Sequence, residues 1–201
     1  MKKGSLQTTI VILLLFFLMG IGCERGQQGD KVLLELTPDS KNPVIQNETE
    51  GIEFKFCLLN EQGTPSTIFN EKENFILSFS FKNNLQNTIS VTTEFINHEF
   101  YRVYRYTDNK DMGKPWTGVY CNFSGLPKEI DLLHSSIKNL NCPWVLTEYS
   151  TPDYPLCMSE SKSYLDKGDY FTSIELDFHY KINNKEYIIN KFRYRINFRV
   201  Q

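Results

Sequence analysis

Apolar and polar residues alternate along the chain with a period of two. In one segment, Phe75, Leu77, Phe79 and Phe81 alternate with smaller or polar residues. Successive side chains of a β-strand point to opposite faces of a sheet, so this period predicts a strand with one face against a core. A protein built mostly of strands is therefore expected.

The same period recurs before and after this segment. Residues expected to point inward are Ile52, Phe54, Phe56 and Leu58; Ile89, Val91, Thr93 and Phe95; Tyr170, Thr172, Ile174, Leu176, Phe178 and Tyr180; and Phe192, Tyr194, Ile196, Phe198 and Val200. Asn183 and Asn184 separate the last two runs and tolerate the positive φ of a tight hairpin turn. Short strands with turn signals between them predict an all-β, immunoglobulin-like antiparallel β-sandwich over residues 51–201.

The pattern weakens between Thr107 and Ser163, which predicts an elaborated central loop region. In this region Ile130, Leu133, Ile137 and Leu140 recur at helical spacing behind Pro127, and they predict a short helix. An unstructured connection of this length is uncommon. The region is therefore either functional or contains strands that the pattern does not reveal.

The first residues have the layout of a secretory signal. Lys2 and Lys3 precede the apolar run Ile10–Met19, and Gly22 and Cys23 follow it. Ten apolar residues are too few to span a bilayer, which needs about 20, so cleavage is expected and an uncleaved anchor is the alternative. Residues 1–22 are the expected signal peptide, and residues 23–50 are expected to form a tether with a first strand at Val32–Leu36.

The segment ending in Gly22 and Cys23 resembles the lipobox of bacterial lipoproteins, although Gly20 stands where that motif usually has leucine. The resemblance implies that Cys23 carries acyl chains such as palmitate and that the membrane is a partner through this anchor. Glu24, in place of an aspartate that retains lipoproteins in the inner membrane, implies an outer-membrane location in the cell envelope.

Four other cysteines remain, and an even number suits an oxidising compartment. Three pairings are open; a disulfide between Cys142 and Cys157 is favoured because it would close a short loop. Cys57 lies within a strand pattern and is equally well explained as a small buried side chain without a partner.

Several stretches together resemble immunoglobulin-like lipoproteins of the Bacteroidetes. They are FKFCLLNEQGTPSTIFNEKENFILSFSFKNN, FYRVY, GKPW, CPW and KGDYFTSIELDFHY. The resemblance covers most of residues 52–200 and implies the fold, but that family has no assigned reaction to carry over. A weaker likeness, through FILSFSFKNN, is to proteinase-inhibitor-like domains. Tyr170, after Gly168, resembles the tyrosine whose hydroxyl pins a corner of immunoglobulin-like domains; a plain core tyrosine is the alternative.

The sequence contains no pattern that specifies catalysis. The formal net charge is −2, an ordinary balance that argues against nucleic acid, whose binding relies on clustered basic residues and counterion release. The histidines, His98, His134 and His179, lack metal-ligand spacing, and neither a nucleophile elbow nor a phosphate-binding glycine loop occurs. We therefore expect no enzyme, no cofactor and no metal.

Two groups of residues are candidates for binding. Aromatic side chains in the irregular region could stack on sugars or anchor a protein, or else cap the sandwich as buried residues; they are Trp116, Tyr120, Trp144, Tyr149 and Tyr154. A second group alternates along the last strand and would form a basic strip, either for an anionic surface or as an ordinary solvated face; it consists of Lys191, Arg193, Arg195 and Arg199.

The expected function is a lipid-anchored binding or structural module of the cell envelope. Its partners would be the membrane and either a glycan or an envelope protein. The alternatives are a glycan-capture accessory of a surface polysaccharide system and a proteinase-inhibitor-like domain.

Overall fold

The chain folds into two β-sheets that pack face to face. The computed structural model describes residues 32–115, 129–145 and 163–201, and all of them belong to one compact unit, Lys31–Gln201. No helix occurs among these residues. The predicted all-β sandwich of the immunoglobulin-like class is confirmed.

The strands in the described part of the chain are β1 (Val32–Leu36), β2 (Val44–Thr49), β3 (Ile52–Leu59), β4 (Ile68–Phe69), β5 (Ile76–Asn83), β6 (Ile89–Thr92), β7 (Val103–Arg105), β8 (Asp111–Gly113), β9 (Glu129–Leu132), β10 (Ile137–Pro143), β11 (Gly168–Ile182) and β12 (Lys185–Val200). The smaller sheet has the order β10-β5-β3-β2. The larger sheet has the order β1-β12-β11-β6-β9; β4 pairs with β12, and the β7–β8 hairpin pairs with β11.

The connectivity is that of an immunoglobulin-like Greek key. The β5 strand pairs with β10 in one sheet, while β6, β11 and β12 are neighbours in the other. These neighbours correspond to the B and E strands and to the C, F and G strands of the fold. Both β1 and β4 run parallel to β12 at the edge of the larger sheet.

Aromatic side chains from the two sheets meet in the core. Phe54 of β3 contacts Phe178 of β11 and Phe192 of β12, with ring centroids 4.9 and 5.0 Å apart. Phe75 contacts Phe198 at 5.2 Å. All the phenylalanines of residues 75–81 and 192–198 are buried. Burial of alternate residues, predicted from the period of two, is therefore confirmed.

Two local predictions about β11 are also confirmed. The Tyr170 hydroxyl donates a hydrogen bond of 2.8 Å to the carbonyl oxygen of Asp166, which fastens the corner before β11. At the other end, Asn183 and Asn184 have φ angles of 49° and 65° and connect β11 to β12 in a two-residue turn.

The predicted short helix is wrong. From Glu129 onward its residues form β9, the first part of β10 and the turn between them. Leu132 and Leu140 are buried, whereas Leu133 and Ile137 are exposed. Because β9 pairs with β6 and β10 pairs with β5, the hydrogen bonds of two sheets replace those of a helix.

The sandwich begins earlier than residue 51. The predicted strand at Val32–Leu36 is confirmed as β1, and the polar stretch after it contains the unpredicted β2. Ile45 of β2 is buried, and the Tyr194 hydroxyl of β12 donates a hydrogen bond to the side-chain oxygen of Asn47. This bond joins β2 to the opposite sheet.

The corner bond of Tyr170 predicts a specific loss of stability. The Tyr170→Phe variant loses only the hydroxyl, and we expect its free energy of unfolding to fall by about 1 kcal/mol. Tyr106→Phe, the same change at an exposed tyrosine, should leave the urea midpoint unchanged. Equal midpoints for Tyr170→Phe and the unchanged protein would contradict a role for this bond.

Candidate ligand-binding site

A cleft opens where the strand pairing beside β11 is interrupted. The β7 strand pairs with Tyr170–Thr172, and β6 pairs with Tyr180–Lys181. Between these two pairings, residues 93–102, which connect β6 to β7, run alongside β11 as turns and bends. The ladder therefore has a gap, and side chains of the connection stand beside the middle of β11.

The cleft has a volume of about 290 Å³. Its lining consists of Phe95, Asn97, Glu99 and Phe100 from the connection, Ser173, Ile174 and Glu175 from β11, and Arg193 from β12. Phe95 and Phe100 are buried and provide an apolar base. The other lining side chains are mostly polar or charged, so the cleft is more polar than a typical small-molecule site, and its volume is at the small end of their range.

The connection that borders the cleft is held by its own hydrogen bonds. The Asn97 side-chain oxygen accepts a hydrogen bond from the Glu99 backbone N–H at 2.9 Å. Tyr101 is buried with a φ of 64°, a conformation uncommon for a non-glycine residue, and its hydroxyl donates to the Leu140 carbonyl oxygen. Arg102 forms an ion pair of 2.7 Å with Asp111 of β8. The wall of the cleft is therefore fixed to the fold.

Two carboxylates at the cleft are engaged by neighbouring side chains. Glu175 accepts a hydrogen bond of 3.0 Å from the Arg193 guanidinium, which faces it across the β11–β12 pair. Glu99 accepts a hydrogen bond of 2.6 Å from the Tyr104 hydroxyl. Burial, followed by this bond to Glu99, raises the pKa of Tyr104 well above its usual value.

An aromatic platform adjoins the cleft on the outer face of the larger sheet. It consists of Tyr104, Tyr106, Phe171 and Arg195. Tyr104 stacks on Phe171 with centroids 5.3 Å apart, and the Arg195 guanidinium carbon lies 3.9 Å from the Phe171 centroid. Tyr106 stands edge-on to Phe171 and is 55% exposed. Since Arg195 faces Ser173 across the β11–β12 pair, the platform and the cleft form one continuous surface.

The predicted basic strip is balanced by acidic neighbours. Arg193 pairs with Glu175. Arg195 lies 3.4 Å from Glu35 of β1, and Arg199 lies 2.7 Å from Asp169 of β11. Lys191 is in β12, but its side chain is outside the described part. The described arginines thus form compensated pairs on the sheet face.

For Trp144 the structure decides between the two alternatives, an exposed ligand contact and a buried cap. Only 1% of it is exposed; it stacks on Phe75 at 5.6 Å, and its indole N–H donates to the Ser163 carbonyl oxygen. Trp144 is thus a core residue, as the capping alternative proposed. The other predicted aromatics, Trp116, Tyr120, Tyr149 and Tyr154, lie outside the described residues.

The cysteines also differ from expectation. Cys142 lies in β10 rather than in a loop and is a free, buried thiol, so the predicted disulfide to Cys157 is not formed at this residue. Burial raises the pKa of the Cys142 thiol to about 12. Cys57 is likewise free and buried, as its alternative explanation predicted. Cys23 and Cys157 lie outside the described residues.

Searches for metal ligands, membrane helices and relatives gave no matches. Within residues 32–115, 129–145 and 163–201, no three histidine, cysteine or acidic side chains form a group suited to a metal ion. No helix in these ranges has the length and apolar character to cross a membrane. A scan against protein-family models found no match, and neither did a search of curated proteins.

The sequence contains a signal for the platform. Because Tyr170 and Thr172 point inward, Phe171 must point outward, and it becomes informative only if neighbouring aromatic side chains make it part of a surface patch. The alternating tyrosines of the segment FYRVYRYT give the same signal for Tyr104 and Tyr106. The gap beside β11 has no counterpart in the local pattern.

The hydrogen bond between Tyr104 and Glu99 predicts a shift in titration. In Glu99→Gln, the negative charge that disfavours phenolate is removed, so the pKa of Tyr104 should fall. Its assigned ring carbon resonance, followed by NMR from pH 8 upward, measures this pKa. Because the folded-state pKa lies above the ordinary value of 10.0, stability linked to Tyr104 should decline as the pH rises past 10.

Glu129→Gln provides a matched control, because Glu129 pairs with Lys181 at another part of the sheet. It should leave the Tyr104 titration unchanged. An unchanged Tyr104 pKa in Glu99→Gln would contradict the electrostatic coupling at the cleft.

Proposed function

We propose that the protein is a lipid-anchored module of the bacterial cell envelope that binds an uncharged glycan. The glycan would occupy the aromatic platform and the adjoining cleft, referred to together as the binding surface. The observation that supports this proposal most strongly is the exposed ring of Tyr106 beside Phe171 and Tyr104, next to a cleft whose charged groups are paired.

The platform suits the apolar faces of sugar rings. The C–H groups on one face of a pyranose pack against an aromatic ring, while the hydroxyls around its edge stay polar. Tyrosine combines an apolar ring with a polar hydroxyl, and binding restricts few of its side-chain torsions. It is therefore favoured where the ligand has both apolar and polar parts. Tyr106 offers such a ring, and the contacts among Phe171, Tyr104 and Arg195 hold the rest of the platform in place.

The cleft suits hydroxyl groups, which both donate and accept hydrogen bonds. Asn97, Ser173 and Arg193 supply donors, and Glu99 and Glu175 supply acceptors. Since Arg193 is neutralised by Glu175, the cleft offers an anionic ligand little net attraction. An uncharged ligand fits this balance better than the anionic surface that a basic strip would favour.

The contacts support binding rather than catalysis. Here Glu99 is engaged by Tyr104, and Glu175 by Arg193. The proteinase-inhibitor alternative stays a prediction, because the described residues contribute no feature that favours it.

The proposed location in the cell envelope rests on residues 1–23. The charged start, the apolar run and Cys23 support export and acylation by their resemblance to lipoprotein signals. Two or more acyl chains give stable attachment, since each buried methylene contributes about 0.8 kcal/mol. A tethered binding module would hold a polymeric ligand close to the cell surface.

A first test measures glycan binding. We expect calorimetric titration with neutral polysaccharide fragments to detect binding, and Tyr106→Ala to weaken it about tenfold, equivalent to about 1.4 kcal/mol. Leu133→Ala removes an exposed side chain on the β9–β10 turn and should bind as the unchanged protein does. Absence of binding across a broad set of neutral glycans, or equal affinity for Tyr106→Ala, would refute the ligand assignment.

A second test addresses the anchor. In a bacterial host fed radiolabelled palmitate, the full-length protein should be labelled and should sediment with membranes. Cys23→Ser removes the acylated thiol and should be unlabelled. If the full-length protein were unlabelled, or if Cys23→Ser were labelled equally, lipidation at this residue would be refuted.

A further inference from the structure

We infer that Arg195 determines the specificity of the binding surface, and that it selects glycans whose repeating units carry two hydroxyls on neighbouring ring carbons, a vicinal pair. This inference rests on the proposed function and adds to it the class of linkage that the ligand must have. Hexopyranose chains linked through O4 or O6 keep a vicinal pair in every unit. Chains linked through O3 keep none except at their ends.

Arg195 lies where the platform meets the cleft. Its guanidinium carbon is 3.9 Å from the ring centroid of Phe171 and 5.7 Å from the ring centroid of Tyr106. Across the β11–β12 pair, Arg195 faces Ser173, which lines the cleft. A sugar ring that packs against Tyr106 therefore has its edge beside this guanidinium.

The guanidinium of Arg195 is fixed from one side. Its Nε donates a hydrogen bond of 3.0 Å to the side-chain oxygen of Asn197, and Oε1 of Glu35 lies 3.4 Å from the same nitrogen. Asn197 is fixed in turn, because its amide nitrogen donates to Glu35 at 2.6 Å and to the Leu36 carbonyl oxygen at 2.8 Å. Contact with the ring of Phe171 adds a second support. Arg195 is therefore ordered before a ligand binds, which lowers the entropic cost of binding.

These contacts leave the two Nη groups of Arg195 available. In the part of the chain that the structure describes, neither Nη donates a hydrogen bond, and 28% of the side chain is exposed. The other arginine of the binding surface differs, because Nη2 of Arg193 already donates to Glu175 at 3.0 Å. The N–H groups of a guanidinium form a rigid planar fork, which suits two acceptor oxygens that lie side by side.

The charges around Arg195 favour hydroxyl oxygens over an anionic group. Glu35 lies on the Nε side of Arg195, and Glu175 neutralises the neighbouring Arg193. A carboxylate on the ligand would accept hydrogen bonds from the Nη groups, but these two acids would also repel it. A vicinal pair, unless both hydroxyls are axial, presents paired acceptors without a charge. The repeating unit of an uncharged ligand is therefore expected to carry such a pair.

Calorimetric titration with long neutral chains of glucose, mannose and galactose tests the linkage class. Long chains are used so that their end units contribute little. The binders should be chains linked through O4 or O6, and the O3-linked chain of the same sugar should bind at least about tenfold more weakly, because it cannot fill the fork.

The results of this titration separate the inference from the proposed function. Equal or tighter binding of the O3-linked chain overturns the inference and leaves the glycan assignment intact. Absence of binding by every neutral chain refutes both. A polyuronate that binds about tenfold more tightly than its neutral counterpart would show that the ligand is anionic, which also refutes both.

Two variants connect the linkage preference to Arg195. Arg195→Lys keeps the positive charge but loses the fork, and Arg195→Met keeps apolar cover on Phe171 but has no donor. Both should bind the preferred chain about tenfold more weakly and lose the preference over the O3-linked chain. Arg105→Lys is the matched control and should bind as the unchanged protein does, because Asp108 engages Arg105 at 3.0 and 2.6 Å away from the binding surface.

The variants also distinguish recognition from structural support. If the Arg195 variants lost affinity equally for both kinds of chain, Arg195 would support the platform without contacting the vicinal pair, and the inference would be overturned. Full affinity in Arg195→Lys would attribute the contact to charge alone and would also overturn it.

A test on the unchanged protein covers the case in which thermal unfolding shows that the Arg195 variants do not fold. Synthetic fragments of the preferred chain that lack one hydroxyl of the vicinal pair should bind about tenfold more weakly than the complete fragment. Fragments that lack a hydroxyl outside the pair should bind normally. Equal affinity for the two kinds of fragment contradicts the inference.

Discussion

The β11–β12 hairpin supplies the packing on which both sheets depend. Its inward aromatic residues lie against those of the smaller sheet, as in the contacts of Phe178 and Phe192 with Phe54. Each such pair contributes about 0.5–1.5 kcal/mol beyond the burial of its area, and truncating one buried phenylalanine to alanine typically costs about 3–5 kcal/mol. Because the hairpin pairs with β1, β4, β6 and β7, loss of this interlayer contact would remove the support of the whole larger sheet.

The same packing determines the outer face. With Tyr170, Thr172 and Ile174 committed to the core, Phe171, Ser173 and Glu175 must face outward, in register with Arg193 and Arg195 of the return strand. The candidate site therefore follows from the requirements of the core. The connection between β6 and β7 adds what the strands alone cannot provide, because its turns replace a ladder and leave a cleft beside β11.

Much of the fold could be predicted from sequence because each strand repeats one local rule. The period of two correctly identified the buried faces around Phe79 and Phe198, and Gly168 with Tyr170 indicated the corner. The helix prediction failed because Leu132 and Leu140 lie in strands that pair with distant partners in two different sheets. The local sequence around them gives no sign of these partners. For the same reason β2 was missed: it is a polar strand whose Asn47 accepts a hydrogen bond from Tyr194 in the other sheet.

The site was harder to predict because it is made of contacts between distant segments. Arg193 and Glu175 lie 18 positions apart and meet only through the hairpin register, so the sequence indicated a basic strip where the fold has ion pairs. Trp144 lies in an irregular stretch of sequence, which suggests a loop, but its stacking on the distant Phe75 places it in the core. The outward position of Phe171 was implied by the alternation, but its partners Tyr104 and Arg195 belong to two other strands.

The central claim is that the outer face of the larger sheet binds an uncharged glycan. Its most direct test is an NMR titration of the isotopically labelled protein with neutral oligosaccharides. The account predicts that amide shifts concentrate on Phe171, Ser173 and Glu175 and on residues 97–106. Shifts confined to the turns at residues 133–136 and 183–184 or to residues 116–128, or a spectrum unchanged by every neutral sugar, would contradict it.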